Sequence, residues 1–258
     1  MNHVLRATRR FLSDNILARF EFLGQLEYHL RPNLGEVWGG PFNGQWNRQR
    51  IVYDLIRTFQ PSAIVETGTF RGASTLFFAL NSQVPIYSTE ANRRFYGFAA
   101  RRLRHWPKVT LILQDSRAFL KRLDLPKDRP VFFYLDAHWE GDLPLQEEIE
   151  IILGRFPNFL IMIDDFRVPG DSGYGFDDYG PGKMLALRDF PFHEDRRMSV
   201  YFPTCRSEAE TGTKRGCVVL VASSLAMLVS ETGALQRYVC EAQPSTYSKR
   251  ESRLPDTE

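Results

Sequence analysis

A chain of 258 residues, 43% of them hydrophobic, can bury a sizeable core, and one large domain with an N-terminal extension fits this length better than two domains. A net charge of +2 does not call for nucleic acid as a partner, and no apolar run reaches the roughly 18 residues of a membrane-spanning helix, so no stable membrane insertion is expected. The three cysteines, Cys205, Cys217 and Cys240, contain no C-x-x-C pair, which argues against a disulfide framework and for a reducing, cytoplasmic compartment.

Residues 4–30 read as one or two amphipathic helices. Leu5, Leu12, Ile16, Leu17, Phe20 and Leu23 form the apolar stripe, flanked by Arg6, Arg9, Arg10 and Arg19. Such a segment either lies on a membrane surface or anionic partner, or packs on the domain or on a second subunit in a homo-oligomer; the packed alternative is the commoner. The basic start lacks the apolar core and cleavage site of a secretory signal. Residues 32–47 are loop-like and glycine-rich, with Trp38 and Trp46. Asn43, Gln45 and Arg48 either reach a cofactor carboxylate or satisfy loop backbone. Ile51, Val52, Leu55 and Ile56 then predict a helix. The expected division is an extension and loop over 1–60, an α/β domain over 61–241, and a disordered polar tail over 242–258.

The domain opens with AIVETGTFRGASTLFFAL, residues 63–80. Ala63 to Val65 suits a buried parallel strand, Gly68 and Gly72 a tight turn, and Ala73, Leu76, Phe77 and Leu80 one face of a helix. This is the phosphate- or nucleotide-binding opening of a doubly wound sheet, or else a structural turn without a ligand. Its form is E-x-G-x-x-x-G; Phe70 and Ala73 stand where a dinucleotide fingerprint needs glycine. Glu66, Gly68, Thr69, Gly72 and Ser74 are its candidate cofactor contacts.

Ile86 to Glu90 is a second strand ending in an acid, 18 residues past Gly72. Glu90 is placed to accept hydrogen bonds from ribose hydroxyls, or to cap the helix that follows. That helix, Asn92 to His105, is arginine-rich and reads as a solvated face rather than a nucleic-acid patch. Val109 to Leu113 is the third strand. Asp115 follows it and is a good N-cap for a helix over Arg117 to Leu123.

Val131 to Trp139 reads as a central strand carrying Asp136 and His138 on one side, a pairing that suggests a base or a metal site. A helix follows over Leu145 to Leu153. Phe159 to Phe166 is the fifth strand and ends in Asp164 and Asp165. Neighbouring fourth and fifth strands bring three carboxylates to one edge, where they repel unless a cation or protons sit between them. Oxygen-only ligands favour Mg2+. Both members of the pair can ligate only if the chain turns there. The loop from Phe166 to Lys183 holds five glycines, two prolines and the aromatics Tyr174, Phe176 and Tyr179, as a lid over an acceptor would. Lys183 is a second base candidate beside His138. Arg197 to Pro203 and Gly216 to Ser223 read as antiparallel closing strands, with Cys217 buried and inert.

The E-x-G-x-x-x-G turn resembles the first motif of the class I S-adenosylmethionine-dependent methyltransferases. The acid after the fourth strand and the acidic pair after the fifth look like the metal-dependent small-molecule O-methyltransferases, including catechol-type enzymes and their macrolide-sugar and cephalosporin-pathway relatives. The resemblance implies a seven-stranded, mostly parallel, doubly wound α/β sheet with helices on both faces. It implies S-adenosylmethionine as cofactor, with Asp115 or Ser116 at the adenine edge and Asp136 beside the cofactor. It further implies Mg2+ on Asp136, Asp164 and Asp165, His138 as base, and a hydroxyl of a sugar or natural product as acceptor. In the macrolide-sugar relatives the histidine stands three residues after the acid; here it stands two after. Two other readings remain: a nicotinamide-dependent oxidoreductase, and a non-catalytic module that only binds the cofactor.

Overall fold

The strands that the sequence marks by apolar runs assemble into one sheet in the computed structural model, which describes residues 17–138, 142–229 and 232–239. β1 (Ala63–Thr67), β2 (Ile86–Glu90), β3 (Val109–Leu113), β4 (Val131–Leu135) and β5 (Phe159–Asp164) run parallel. β6 (Met198–Pro203), β7 (Cys217–Ala222) and β8 (Leu235–Arg237) complete it, with β7 antiparallel to β5. The order is β3-β2-β1-β4-β5-β7-β6-β8. Seven strands were expected and eight are present. The extra one has three residues, of which only Leu235 is buried, too few to show a periodicity.

Strand order reverses between β1 and β4, and ligands of open α/β sheets bind at the carboxyl ends beside such a reversal. Register sharpens this. Thr67 pairs with Leu135 and Leu135 with Ile163, so Gly68, Asp136 and Asp164 leave the sheet side by side.

Both faces are apolar because helices cover both. On one, Val65, Phe133, Leu135, Ile161 and Ile163 pack with Phe119 and Leu120 of α5 (Ser116–Arg122) and with Ile149 and Ile152 of α6 (Leu145–Arg155). The preceding helices are α1 (Glu21–Leu30), α2 (Trp46–Phe59), α3 (Ala73–Asn81) and α4 (Arg93–Leu103); α7 (Ala226–Val229) comes last. On the opposite face, Ile64, Phe132, Tyr134, Leu160 and Met162 pack with Ile51, Val52 and Leu55 of α2 and Phe78 of α3. Phe42 joins that face, its ring edge-on to Phe77, Phe78 and Tyr134 at 5.1–5.6 Å. From Phe42 onward, the segment read as an extension therefore belongs to the core. The loop-like stretch contains two short 3-10 segments, Pro32–Gly39 and Pro41–Gly44.

α1 lies on α4, so the packed reading holds for this part of the N-terminal stripe; the remainder, residues 4–16, lies outside the described residues, as do Cys240 and the polar tail from 242. Two arginines of α4 hold α1 and the 3-10 segment that follows it. Arg94 pairs with Glu27, while Arg102 pairs with Glu36 and donates to the Gly35 carbonyl at 2.7 Å. Gly97 permits the close crossing, since a Cβ there would overlap the Glu21 carbonyl. No helix among the described residues is long and apolar enough to cross a membrane.

The crossing gives a local test. Gly97→Val is expected to detach α1 at a cost of about 1–3 kcal/mol, the range for overpacking. Amide exchange should then speed up over residues 21–30 and stay slow in β1, β4 and β5. Unchanged protection of 21–30 would show that the close approach is not needed.

Candidate active site

One side of the candidate site is built by the turn between β1 and α3. Gly68 has φ +83°, and a Cβ on it would overlap the Asp136 carbonyl; only glycine lets the end of β1 pass this close to the end of β4. The N–H groups of Gly68 and Thr69 both donate to the Thr89 carbonyl, at 3.0 and 3.1 Å, tying the turn to β2. Phe70, at φ +49°, donates its N–H to Glu90 Oε2 at 2.7 Å, and Asn92 N–H reaches Glu90 Oε1 at 2.8 Å. Each oxygen keeps acceptor capacity beyond these bonds. Burial raises Glu90 to about 7 against those two N–H donors. Asn92, not Glu90, supplies the side-chain cap of α4. Trp38, carried by the first 3-10 segment, stacks on Phe70 with ring centroids 5.4 Å apart.

Three expected cofactor contacts brace the turn from beneath instead. Glu66 is wholly buried, and its oxygens are taken by Ser74 and Ser88 at 2.5 Å each and by Thr75. Thr69 Oγ1 lies 2.5 Å from Ser88 Oγ. Burial pushes Glu66 up, opposed by these hydroxyl donors. The side chains of Glu66, Thr69 and Ser74 are thus spent inside the fold, and the turn presents backbone to the cleft. Gly72, at φ +75°, opens α3. Asp115 is likewise committed: it caps α5 through Arg117 N–H and Ala118 N–H, at 3.0 and 3.2 Å, and Arg117 Nη2 bonds it at 2.7 Å. Ser116 is buried beside it, near Glu148 of α6, whose carboxyl burial raises to about 7.

The chemical side lies at the ends of β4 and β5. Asp136 N–H donates to the Thr67 carbonyl at 3.0 Å, which places its carboxylate next to the turn. Asp164 faces the other way. It is buried in an ion pair with Arg48 of α2 and accepts from Tyr134 Oη at 2.8 Å and Asn43 Nδ2 at 3.5 Å. The expected metal ligand Asp164 is therefore engaged below the cleft. Its neighbour is not: Asp165, at φ +53°, turns the chain and sends its carboxylate into the cleft. There Arg215 Nε meets it at 2.7 Å, and the same guanidinium pairs with Asp177 of the following loop.

Asp136, His138 and Asp165 come together, each offering one ligand atom within 4.8 Å of the others. His138 is only 6% exposed, and its Nε2 has no hydrogen-bond partner. That nitrogen sits 3.8 Å from both Asp136 Oδ1 and Asp177 Oδ2. Burial lowers the His138 pKa, opposed by the carboxylates of Asp165 and Asp177. Burial, then the carboxylates of Asp165 and Glu66, hold Asp136 well above the ordinary carboxylate range. The oxygen-only triad implied for Mg2+ does not assemble: the third donor is an imidazole.

The loop after β5 is fastened rather than free. Asp177 N–H bonds the Asp165 carbonyl at 2.9 Å, and Gly175 N–H the Lys214 carbonyl at 2.8 Å. Tyr179 faces the cluster, its hydroxyl on Asp177 Oδ2 at 2.6 Å and its ring 6.2 Å from His138. Tyr174 instead is buried, with its hydroxyl on the Cys205 carbonyl, and Phe176 lies under Arg167. Lys183, expected as a second base, is exposed and makes no side-chain hydrogen bond or ion pair.

Sequence reasoning missed Arg215 and Asp177, whose pairing spans 38 positions and has no local signature. Arg48 was readable: with Ile51, Val52 and Leu55 it falls on the apolar face of its helix, where a cation needs a buried anion. Gln45 and Arg48, weighed as cofactor contacts, instead bind the backbone of Arg215.

No protein-family model matches the chain, and no curated protein matches it in sequence. Its structure is similar to that of a protein described as a caffeoyl-CoA O-methyltransferase from Staphylococcus aureus, with a TM-score of 0.54 and 16% identity over 79% of this chain and 98% of that one. It is also similar to an O-methyltransferase from Bacillus cereus in complex with SAH, with a TM-score of 0.52 and 18% identity over 83% and 97%. The likeness is one of fold: both share the Rossmann-like α/β architecture that the sequence resemblance implied.

The buried pair is testable. Arg48→Met leaves the Asp164 charge buried without its cation and is expected to cost about 3–5 kcal/mol in denaturant unfolding. Adding Asp164→Asn to that variant should recover part of the loss. Equal stability of Arg48→Met and wild type would contradict the pairing.

Proposed function

We propose that the protein transfers a methyl group from S-adenosylmethionine to a hydroxyl of a small molecule, of the sugar or natural-product class. What carries this reading is the buried, unpartnered His138 Nε2 beside Asp136, next to a glycine turn whose Phe70 N–H holds the Glu90 carboxylate. The chain fits the cofactor: the turn at Gly68 presents backbone beside the end of β4, and Glu90 has acceptor capacity for two ribose hydroxyls. Bound there, the cofactor supplies a methyl group already made electrophilic by the sulfonium.

The remaining work belongs to the protein. The Phe70 and Asn92 N–H groups fix the Glu90 carboxylate, so the ribose meets an acceptor already oriented. The Asp136, His138 and Asp165 cluster binds the acceptor hydroxyl and favours loss of its proton. Alignment is the larger part of such catalysis, since holding an oxygen in line with the methyl group replaces a bimolecular encounter. Tyr179 and Asp177 close the cleft on the solvent side and exclude water that would compete as acceptor.

Mass spectrometry of a panel of hydroxylated sugars and phenols, incubated with the cofactor, tests the reading directly. Gain of one methyl by any of them supports it; SAH binding with no methylated product across the panel favours a binding module. With an accepted substrate, His138→Ala is expected to lower turnover by roughly 100-fold or more while SAH affinity stays unchanged. Turnover at the wild-type rate would remove His138 from the site.

Cofactor affinity should also depend on pH through Glu90. The free protein holds a proton there below about pH 7, whereas ribose hydroxyls favour the ionised form. Binding then expels a proton, so SAH affinity rises with pH up to about 7 and levels off above it. Calorimetry in buffers of different ionisation enthalpy reads the released proton at pH 6, and Glu90→Ala should abolish it while weakening binding by about 1.5–3 kcal/mol. No proton release at pH 6 would place Glu90 outside the binding site.

A further inference from the structure

We infer that Asp136, His138 and Asp165 form a mixed nitrogen-and-oxygen site for one divalent transition ion of the Zn2+ or Fe2+ type, in place of an oxygen-only Mg2+ site. Three separate observations converge on it. The first is spacing: the three ligand atoms lie within 4.8 Å of one another, near enough for small side-chain rotations to bring them to the ~3.4 Å edge of a tetrahedral site with bonds of ~2.1 Å. The second is His138 Nε2, more than nine-tenths buried, aimed between two carboxylates and bonded to neither. A ring nitrogen placed this way has lost water and gained no partner in exchange.

The third is charge. Asp164 is neutralised by Arg48 and drops out. Asp136, Asp165 and Asp177 then converge on a single guanidinium, that of Arg215, so the cluster holds more carboxylates than cations, an imbalance a divalent ion relieves. Arg215 Nε bonds Asp165 through Oδ1, leaving Oδ2 for the ion, so the arginine orients a ligand rather than occupying the site.

Donor type selects the ion. Magnesium takes oxygen donors and dehydrates reluctantly; imidazole suits zinc, iron, nickel and copper. Asp164 is the residue that would have completed an oxygen-only set, and its commitment to Arg48 and Tyr134 removes it. A cation-bound Nε2 is not free to take a proton, so His138 acts as a ligand and its loss is loss of the ion. The site stands on geometry alone; its catalytic meaning rests on the methyl-transfer reading.

The test uses the full chain, stripped of metal with a chelator and dialysed. Titration calorimetry should show one Zn2+ bound per chain, at least 100-fold tighter than Mg2+, and Co2+ should develop visible absorption bands on binding. His138→Ala and Asp165→Asn are each expected to weaken Zn2+ at least tenfold and to leave SAH affinity within twofold of wild type. The site is overturned if Zn2+ does not bind, if Mg2+ binds as tightly as Zn2+, or if His138→Ala leaves Zn2+ affinity unchanged. SAH binding by the stripped protein keeps the two ideas apart: retained SAH binding without Zn2+ binding removes the ion alone, and Zn2+ binding without SAH binding removes the methyl-transfer reading alone.

Discussion

The buried ion pair between Arg48 and Asp164 is the contact on which the cleft depends. Parallel register delivers Asp136, Asp164 and Asp165 to one edge, and three carboxylates there would repel at any ordinary spacing. The fold separates them. Asp164 goes beneath the edge to Arg48 and the Tyr134 hydroxyl, and the left-handed turn at Asp165 sends the next carboxylate above it to Arg215. The same arginine pair joins distant parts of the chain, because the Arg215 carbonyl accepts from both Arg48 and Gln45. α2, the ends of β4 and β5, and the turn before β7 are thereby one unit. A buried pair of this kind adds little net stability but is costly to break, which suits a device that fixes geometry.

Apolar strand followed by acid occurs repeatedly in this chain, and the acids divide by their neighbours. Glu66 is surrounded by hydroxyls, Asp115 by N–H groups and Arg117, Asp164 by Arg48; all three are used up in holding the backbone. Glu90, Asp136 and Asp165 retain open acceptor positions on the cleft side. Braced and open acids thus alternate along the edge, and each open acid stands next to a braced element. The loop over the cleft follows the same logic: Asp177 takes the second arm of Arg215, so loop position and cluster charge are set by one side chain.

Much of the fold was legible because its signals are local. Ala63–Thr67, Val131–Leu135 and Phe159–Asp164 are continuous apolar runs, and a central parallel strand buried on both faces must read that way. Asp136, His138 and Asp165 stood out in the sequence for a similar reason: polar groups that close a buried strand stand at the edge where ligands of such sheets bind. What sequence could not assign was the partner of each acid. Glu66 and Glu90 end equivalent strands, and only the three-dimensional placement of Ser74, Thr75 and Ser88 makes one a brace. Asp164 and Asp165 are adjacent, and a single backbone angle decides which faces the cleft. β8 escaped because three residues carry no period, and the core role of Phe42 because an aromatic in a glycine-rich stretch reads as loop.

The central claim, that the cleft beside the glycine turn accepts an adenosylated sulfur compound, is tested most directly by thermal unfolding of the purified chain with SAH and, separately, with NAD+. SAH is expected to raise the unfolding midpoint in a saturable manner and NAD+ to leave it where it was, since ligand binding to the folded state alone raises stability. A shift with NAD+ and none with SAH would contradict the claim and turn the cleft over to hydride chemistry.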